Sequence, residues 1–201
     1  LLHGYLGGQA SAGAMLDVLT GKANPSGRLS ETYPVRYEDT PAFKYFPSTE
    51  RNSEYRESLF VGYRYYDTSK VRVQYPFGYG LTYAAFSYEK MQIKKERVCI
   101  KVSCFIKNTG ERSADEVVQL YVHKKGSRVQ RPIRQLVGFE RIHDIQPKET
   151  RKVTFMVQLW ELEYYDVISE RMILEEGTYQ FMAGASSQDI RLEQSIEIDG
   201  T

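Results

Sequence analysis

Val98-Cys99-Ile100-Lys101-Val102-Ser103-Cys104-Phe105-Ile106 decides the fold class of this chain. Val98, Ile100, Val102, Cys104 and Ile106 recur at every second residue, and successive side chains of an extended strand point to opposite sides, so one face carries them all. The period returns at Val118, Leu120 and Val122, at Val153, Phe155 and Val157, and at Tyr179, Phe181 and Ala183, before Ile196 and Ile198. Turn-forming segments separate these runs: Asn108-Thr109-Gly110, Gln146-Pro147-Lys148-Glu149, Glu175-Glu176-Gly177 and the Gly184 turn with Ser186 and Ser187. About seven strands with one-sided patterning predict a β-sandwich over residues 89–201. Cys99 and Cys104, the two cysteines, are an odd number of residues apart and should face opposite ways, so they cannot pair. A disulfide scaffold is excluded, and two unpaired thiols point to a reducing compartment such as the cytoplasm.

Residues 1–88 read differently. Ala12, Met15, Leu16 and Leu19 share one helical stripe within residues 9–20, and Gly21 stands where a left-handed cap would end that helix. Asn24-Pro25-Ser26-Gly27 predicts a turn leading into an extended segment from Arg28 to Pro34. Residues 35–58 have no periodicity, and an unpatterned stretch of this length in a compact domain is usually a functional loop or one packed on a neighbour. Helix, turn and strand together suggest the end of an α/β layer.

Composition removes several function classes. The 201 residues carry 27 basic and 26 acidic side chains, a net charge of +1, so nothing electrostatic favours nucleic acid or an anionic membrane. No apolar run approaches the roughly 18 residues of a membrane helix, and Leu1-Leu2-His3-Gly4 lacks the pattern of a leader peptide. His3, His123 and His143 stand apart without metal-ligand spacing, so no metal and no cofactor is expected. The Lys124, Lys125, Arg128, Arg131 and Arg134 cluster has no interleaved aromatics and reads as a solvated hairpin tip.

Two segments carry a more specific pattern. Tyr55-Arg56-Glu57-Ser58-Leu59-Phe60-Val61-Gly62-Tyr63-Arg64-Tyr65-Tyr66-Asp67 is followed by Tyr75-Pro76-Phe77-Gly78-Tyr79-Gly80-Leu81-Thr82-Tyr83. With Gly8-Gln9-Ala10, Gly13-Ala14 and Asn24-Pro25-Ser26-Gly27-Arg28-Leu29, this order resembles the end of the second domain of family 3 glycoside hydrolases. Asn108-Thr109-Gly110, Glu116 to Val122, Pro132, Leu136-Val137-Gly138-Phe139 and Gly177-Thr178-Tyr179 resemble the fibronectin type III-like domain that ends many of these enzymes. The chain departs from the family at Ser58, commonly glycine, and at Leu6-Gly7-Gly8-Gln9, where a proline before glycine is usual.

The resemblance implies a mainly β fold, with a fibronectin type III-like β-sandwich preceded by the C-terminal part of an α/β sandwich domain. It also implies that a (β/α)8 barrel and the rest of that domain complete the enzyme, in cis or as another chain. The substrate would be a terminal β-linked glycoside, most simply a β-glucoside, hydrolysed with retention by a barrel aspartate and a glutamate acid/base outside these residues. Gly62, Tyr63, Arg64, Phe77, Gly78 and Gly80 would be structural members of the motif.

A retaining glycosidase needs two carboxyl groups about 5–5.5 Å apart, one held protonated. The candidates near the motif are Glu50, Glu54 and Glu57. Glu57 lies beside Arg56 and before Arg64, so the expected role is a buried, arginine-paired structural carboxylate, because a guanidinium lowers a carboxyl pKa and a general acid needs it raised. Glu57 as acid/base is the alternative. Eleven of the sixteen tyrosines lie between Tyr33 and Tyr88, and aromatic faces stack on pyranose rings as readily as they fill an interdomain seam. Tyr45 and Phe46, in the unpatterned loop, are the candidate contacts to a leaving-group sugar. A stand-alone carbohydrate-binding or adhesion module is the competing reading, and the first ninety residues, which such a module would not need, discriminate against it.

Overall fold

The computed structural model describes residues 2–48, 51–52 and 54–200; the candidate Glu50 lies outside them. Helix α1, Ser11–Leu19, ends where the sequence predicts, with Gly21 at φ +74° and the Thr20 hydroxyl donating to the Leu16 carbonyl at 2.8 Å. Its apolar stripe is largely uncovered: Met15 is half-buried against Gly4, but Leu16 and Leu19 are exposed and no residue of the helix is buried. Asn24-Pro25-Ser26-Gly27 forms no turn, contrary to expectation. The segment stays extended because its polar groups bond to residues 78–83 instead: Leu29 N–H donates to the Tyr79 carbonyl and Gly78 N–H to that of Leu29, while Asn24 Oδ1 accepts from Thr82 and from Tyr83 N–H. Strand β1, Tyr33–Pro34, then pairs antiparallel with β2, Val73–Tyr75, which follows the short helix α2, Tyr63–Thr68.

From Phe86 the chain is a β-sandwich. Strands β3 (Phe86–Lys95), β4 (Cys99–Asn108), β5 (Ala114–Lys124), β6 (Gln135–Ile145) and β7 (Thr150–Gln158) are followed by a small hairpin, β8 (Tyr164–Asp166) with β9 (Arg171–Ile173). Strands β10 (Gly177–Gly184) and β11 (Ile190–Ile198) complete it. One sheet has the order β11-β10-β5-β6 and the other β3-β4-β7, all neighbours antiparallel. Seven strands thus face one another across a core of Ile100, Val102, Cys104 and Ile106 on β4, Val118, Leu120 and Val122 on β5, Val153, Phe155 and Val157 on β7, and Tyr179 and Phe181 on β10. These are the period-two faces of the sequence, each side chain contributing about 1.5–3 kcal/mol by leaving water. Val98 is the exception: it precedes β4 and is exposed. Both cysteines are buried free thiols.

Candidate functional site

The residues singled out by motif gather along the seam between the N-terminal layer and the sandwich. Tyr63 opens α2, with Gly62 at its N-cap; its ring stacks on Phe77 at 4.8 Å and its hydroxyl accepts from Leu136 N–H at 2.8 Å. Arg64 lies with its guanidinium 6.0 Å from the same ring. The Phe77 carbonyl accepts from Ser187 N–H, so both ends of this stack are tied to the sandwich. Gly78 has φ +80° and lies so close to β5 that a Cβ there would fall 2.0 Å from Gln119 Oε1. Only glycine satisfies both conditions. Gln119 in turn donates to the carbonyls of Gly78 and Ala185 and accepts from Tyr121. Gly80 makes room for the Gly27 carbonyl, 2.3 Å from where its Cβ would stand.

Beside this stack runs a buried ion pair that motif spacing did not single out. Arg28 donates to the Glu116 carboxylate at 2.6 Å and to the Gly80 carbonyl at 2.7 Å, and Tyr88 donates to the other Glu116 oxygen at 2.7 Å. Burial first, and then the Glu116 charge, push the Tyr88 hydroxyl well above its ordinary range, so it stays a donor. A third joint holds Asp67, 5% exposed, whose Oδ1 accepts from Gln188 at 2.8 Å and whose Oδ2 lies 3.6 Å from Arg134. The basic cluster is thus only in part a solvated tip: Lys125 and Arg128 are exposed at the turn, whereas Arg134 faces Asp67, Lys124 is buried beneath the Tyr179 ring, and Arg131 stacks on Tyr164 at 4.9 Å. For Lys124 and Arg131, burial of the stem against an aromatic ring outweighs the tendency of such side chains to extend into water.

Above the seam lies the loop with the proposed sugar contacts. Tyr45 and Phe46 are 48% and 70% exposed, and Arg56 sits over the Tyr45 ring at 4.3 Å. Arg56 is paired with Glu54, not with Glu57 as expected. Glu57 is half-buried and has no ion-pair partner among the described residues. A turn in which Phe60 N–H donates to the Glu57 carbonyl and Ser58 takes φ +50° carries its side chain away from Arg56. Among the described residues no three His, Cys, Asp or Glu side chains gather as a metal site.

Fourteen of the twenty-three exposed large apolar side chains lie within residues 2–83, and Tyr66 is the one apolar side chain fully buried there among the described residues. Such a surface needs a partner.

Two family models match parts of the chain. Residues 1–83 match the glycosyl hydrolase family 3 C-terminal domain, and residues 116–187 the fibronectin type III-like domain. The chain is 42% identical to thermostable β-glucosidase B of Acetivibrio thermocellus over 205 aligned residues, covering 100% of this chain and 27% of that protein. Probable β-glucosidase K of Emericella nidulans is 37% identical over 100% of this chain and 24% of its own length. Among solved structures, β-glucosidase 3B of Thermotoga neapolitana in complex with glucose superposes with a TM-score of 0.90 at 33% identity, over 96% of this chain and 27% of that one. The Kluyveromyces marxianus β-glucosidase in complex with glucose gives 0.90 at 35% identity, over 95% and 23%. The chain spans about a quarter of the length of the curated relatives it matches.

Proposed function

Because this chain belongs to family 3 of the glycosyl hydrolases as a segment of their C-terminal part, we propose that the complete protein is a retaining β-glucosidase whose catalytic domains this segment buttresses. The reading rests most directly on the end-to-end similarity to β-glucosidases, and the uncovered apolar surface of residues 2–83 supports it, since that surface suits the remainder of an α/β sandwich domain and the (β/α)8 barrel. Residues 1–88 are then the end of the α/β sandwich domain and residues 89–201 the type III-like module, with β3 crossing the junction.

Hydrolysis would proceed by two displacements through a covalent glycosyl-enzyme, using two carboxyls held outside this chain. Within it, Glu54 is occupied by Arg56, and Glu57 serves the turn that precedes α2. Neither is placed beside a second free carboxylate by any contact. Tyr45 and Phe46, both exposed, would stack on the leaving-group sugar. Gly62, Tyr63, Arg64, Phe77, Gly78 and Gly80 hold the seam that carries the loop. The test is to assay the complete protein and the 201-residue chain separately on an aryl β-glucoside, with NMR of the first product. Turnover by the complete protein with β-glucose released first, and none by the chain, is expected. Turnover by the chain alone, or α-glucose as first product, overturns the reading.

A further inference from the structure

The two candidate sugar contacts are held very differently. Phe46 is 70% exposed, and among the described residues no ring or cation meets it. Tyr45, one residue before it, is fixed at both backbone and ring: its N–H donates to the Ala42 carbonyl at 2.8 Å, and the Arg56 guanidinium lies 4.3 Å from its ring centroid. The nearby Phe43 is set in a comparable way, by an edge-on contact with Tyr37 at 5.0 Å. An arginine from further along the chain thus does for Tyr45 what another ring does for Phe43.

Arg56 is itself held. Its Nε donates to Glu54 at 2.5 Å, which orients the plane of the guanidinium, while 53% of the Arg56 side chain and 62% of that of Glu54 stay exposed. A surface pair of this kind adds little to stability, so replacing either member leaves the fold intact. What the pair supplies is orientation. A flat cation laid on one face of a half-exposed phenol ring occupies that face and holds the ring through attraction to its π electrons. A ring already oriented loses less freedom when a ligand stacks on it.

We propose that Arg56, anchored by Glu54, is a positioning residue that holds the Tyr45 ring for the leaving-group sugar. The C–H face of the sugar stacks on the ring face turned away from the guanidinium, so Arg56 acts through Tyr45 and does not touch the substrate. This rests on the reading of Tyr45 as a substrate contact. It also separates the two candidates, since Tyr45 is the preorganised contact and Phe46 is not.

The measurement is kcat/KM of the complete protein on cellobiose, whose leaving group is a sugar, divided by that on methyl β-glucoside, whose leaving group is too small to stack. This ratio should fall in Tyr45→Ala, and in Arg56→Ala it should fall about three- to tenfold, the cost of ordering one loose side chain. Arg56→Lys keeps the charge but loses the flat fork, so its ratio should lie between those of the unaltered protein and Arg56→Ala. In the double variant the ratio should drop no further than in Tyr45→Ala alone, because nothing is left to position. A ratio unchanged in Arg56→Ala, with Tyr45→Ala lowering it, overturns the proposal and keeps Tyr45 as the contact. Losses that add in the double variant also overturn it, since Arg56 would then meet the sugar directly. A ratio unchanged in Tyr45→Ala removes Tyr45 from the substrate site and the proposal with it.

Discussion

Ser58 shows how much one backbone angle decides. Its φ of +50° lies in the left-handed region, where a side chain crowds the following carbonyl at a cost of about 1–2 kcal/mol. The family commonly has glycine here, and the structure supplies the reason. Ser58→Gly is expected to raise stability by about 0.5–1 kcal/mol, less than the full relief because glycine also gains freedom in the unfolded chain. An unchanged or lower urea midpoint would show that the serine is not strained. The same segment shows why the expected Glu57 ion pair is missing: adjacency to Arg56 predicts a pair, but the guanidinium goes to Glu54 and the Tyr45 ring instead.

At the level of elements, β5 is the instructive case. Val118, Leu120 and Val122 were legible as a core face from their period of two. Gln119 and Tyr121, which the period assigns to solvent, are as deeply buried, because the Phe77-Gly78 segment covers the outer face of the sheet. Periodicity reports one face and cannot announce a lid from another part of the chain. The segment before β10 carries a pH-dependent element of stability. Burial alone would raise the Glu175 carboxyl, but the Ser127 hydroxyl at 2.6 Å and Arg128 N–H at 2.7 Å outweigh it and hold the group below its usual range. A carboxyl lowered in the folded state adds stability that is present above its unfolded pKa and lost as pH falls through the folded one. Glu175→Gln should therefore cost about 1–2 kcal/mol at pH 7, and the gap should close below about pH 4. A gap that persists at pH 3 in urea unfolding would assign the loss to packing.

For the whole molecule, the Arg28–Glu116–Tyr88 group is the weld between the two parts. Arg28 is 13% exposed and Glu116 1%, so removing the guanidinium leaves a buried carboxylate whose remaining side-chain hydrogen bond comes from Tyr88, with Arg191 over the Tyr88 ring as the next cation. Arg28→Met should cost about 3 kcal/mol or more, read from thermal unfolding, and a loss below about 1 kcal/mol would show that water reaches Glu116 once the arginine is gone. By itself the sequence determined the sandwich, the helix with its cap and the family, because each rests on local periodicity, turn chemistry or ordered motifs. Tertiary structure alone decided that Asn24 to Leu29 runs extended, that Arg28 reaches Glu116 and that Asp67 meets Arg134. These contacts join residues 50 to 90 positions apart, and their free energy depends on burial that exists only once both parts have packed.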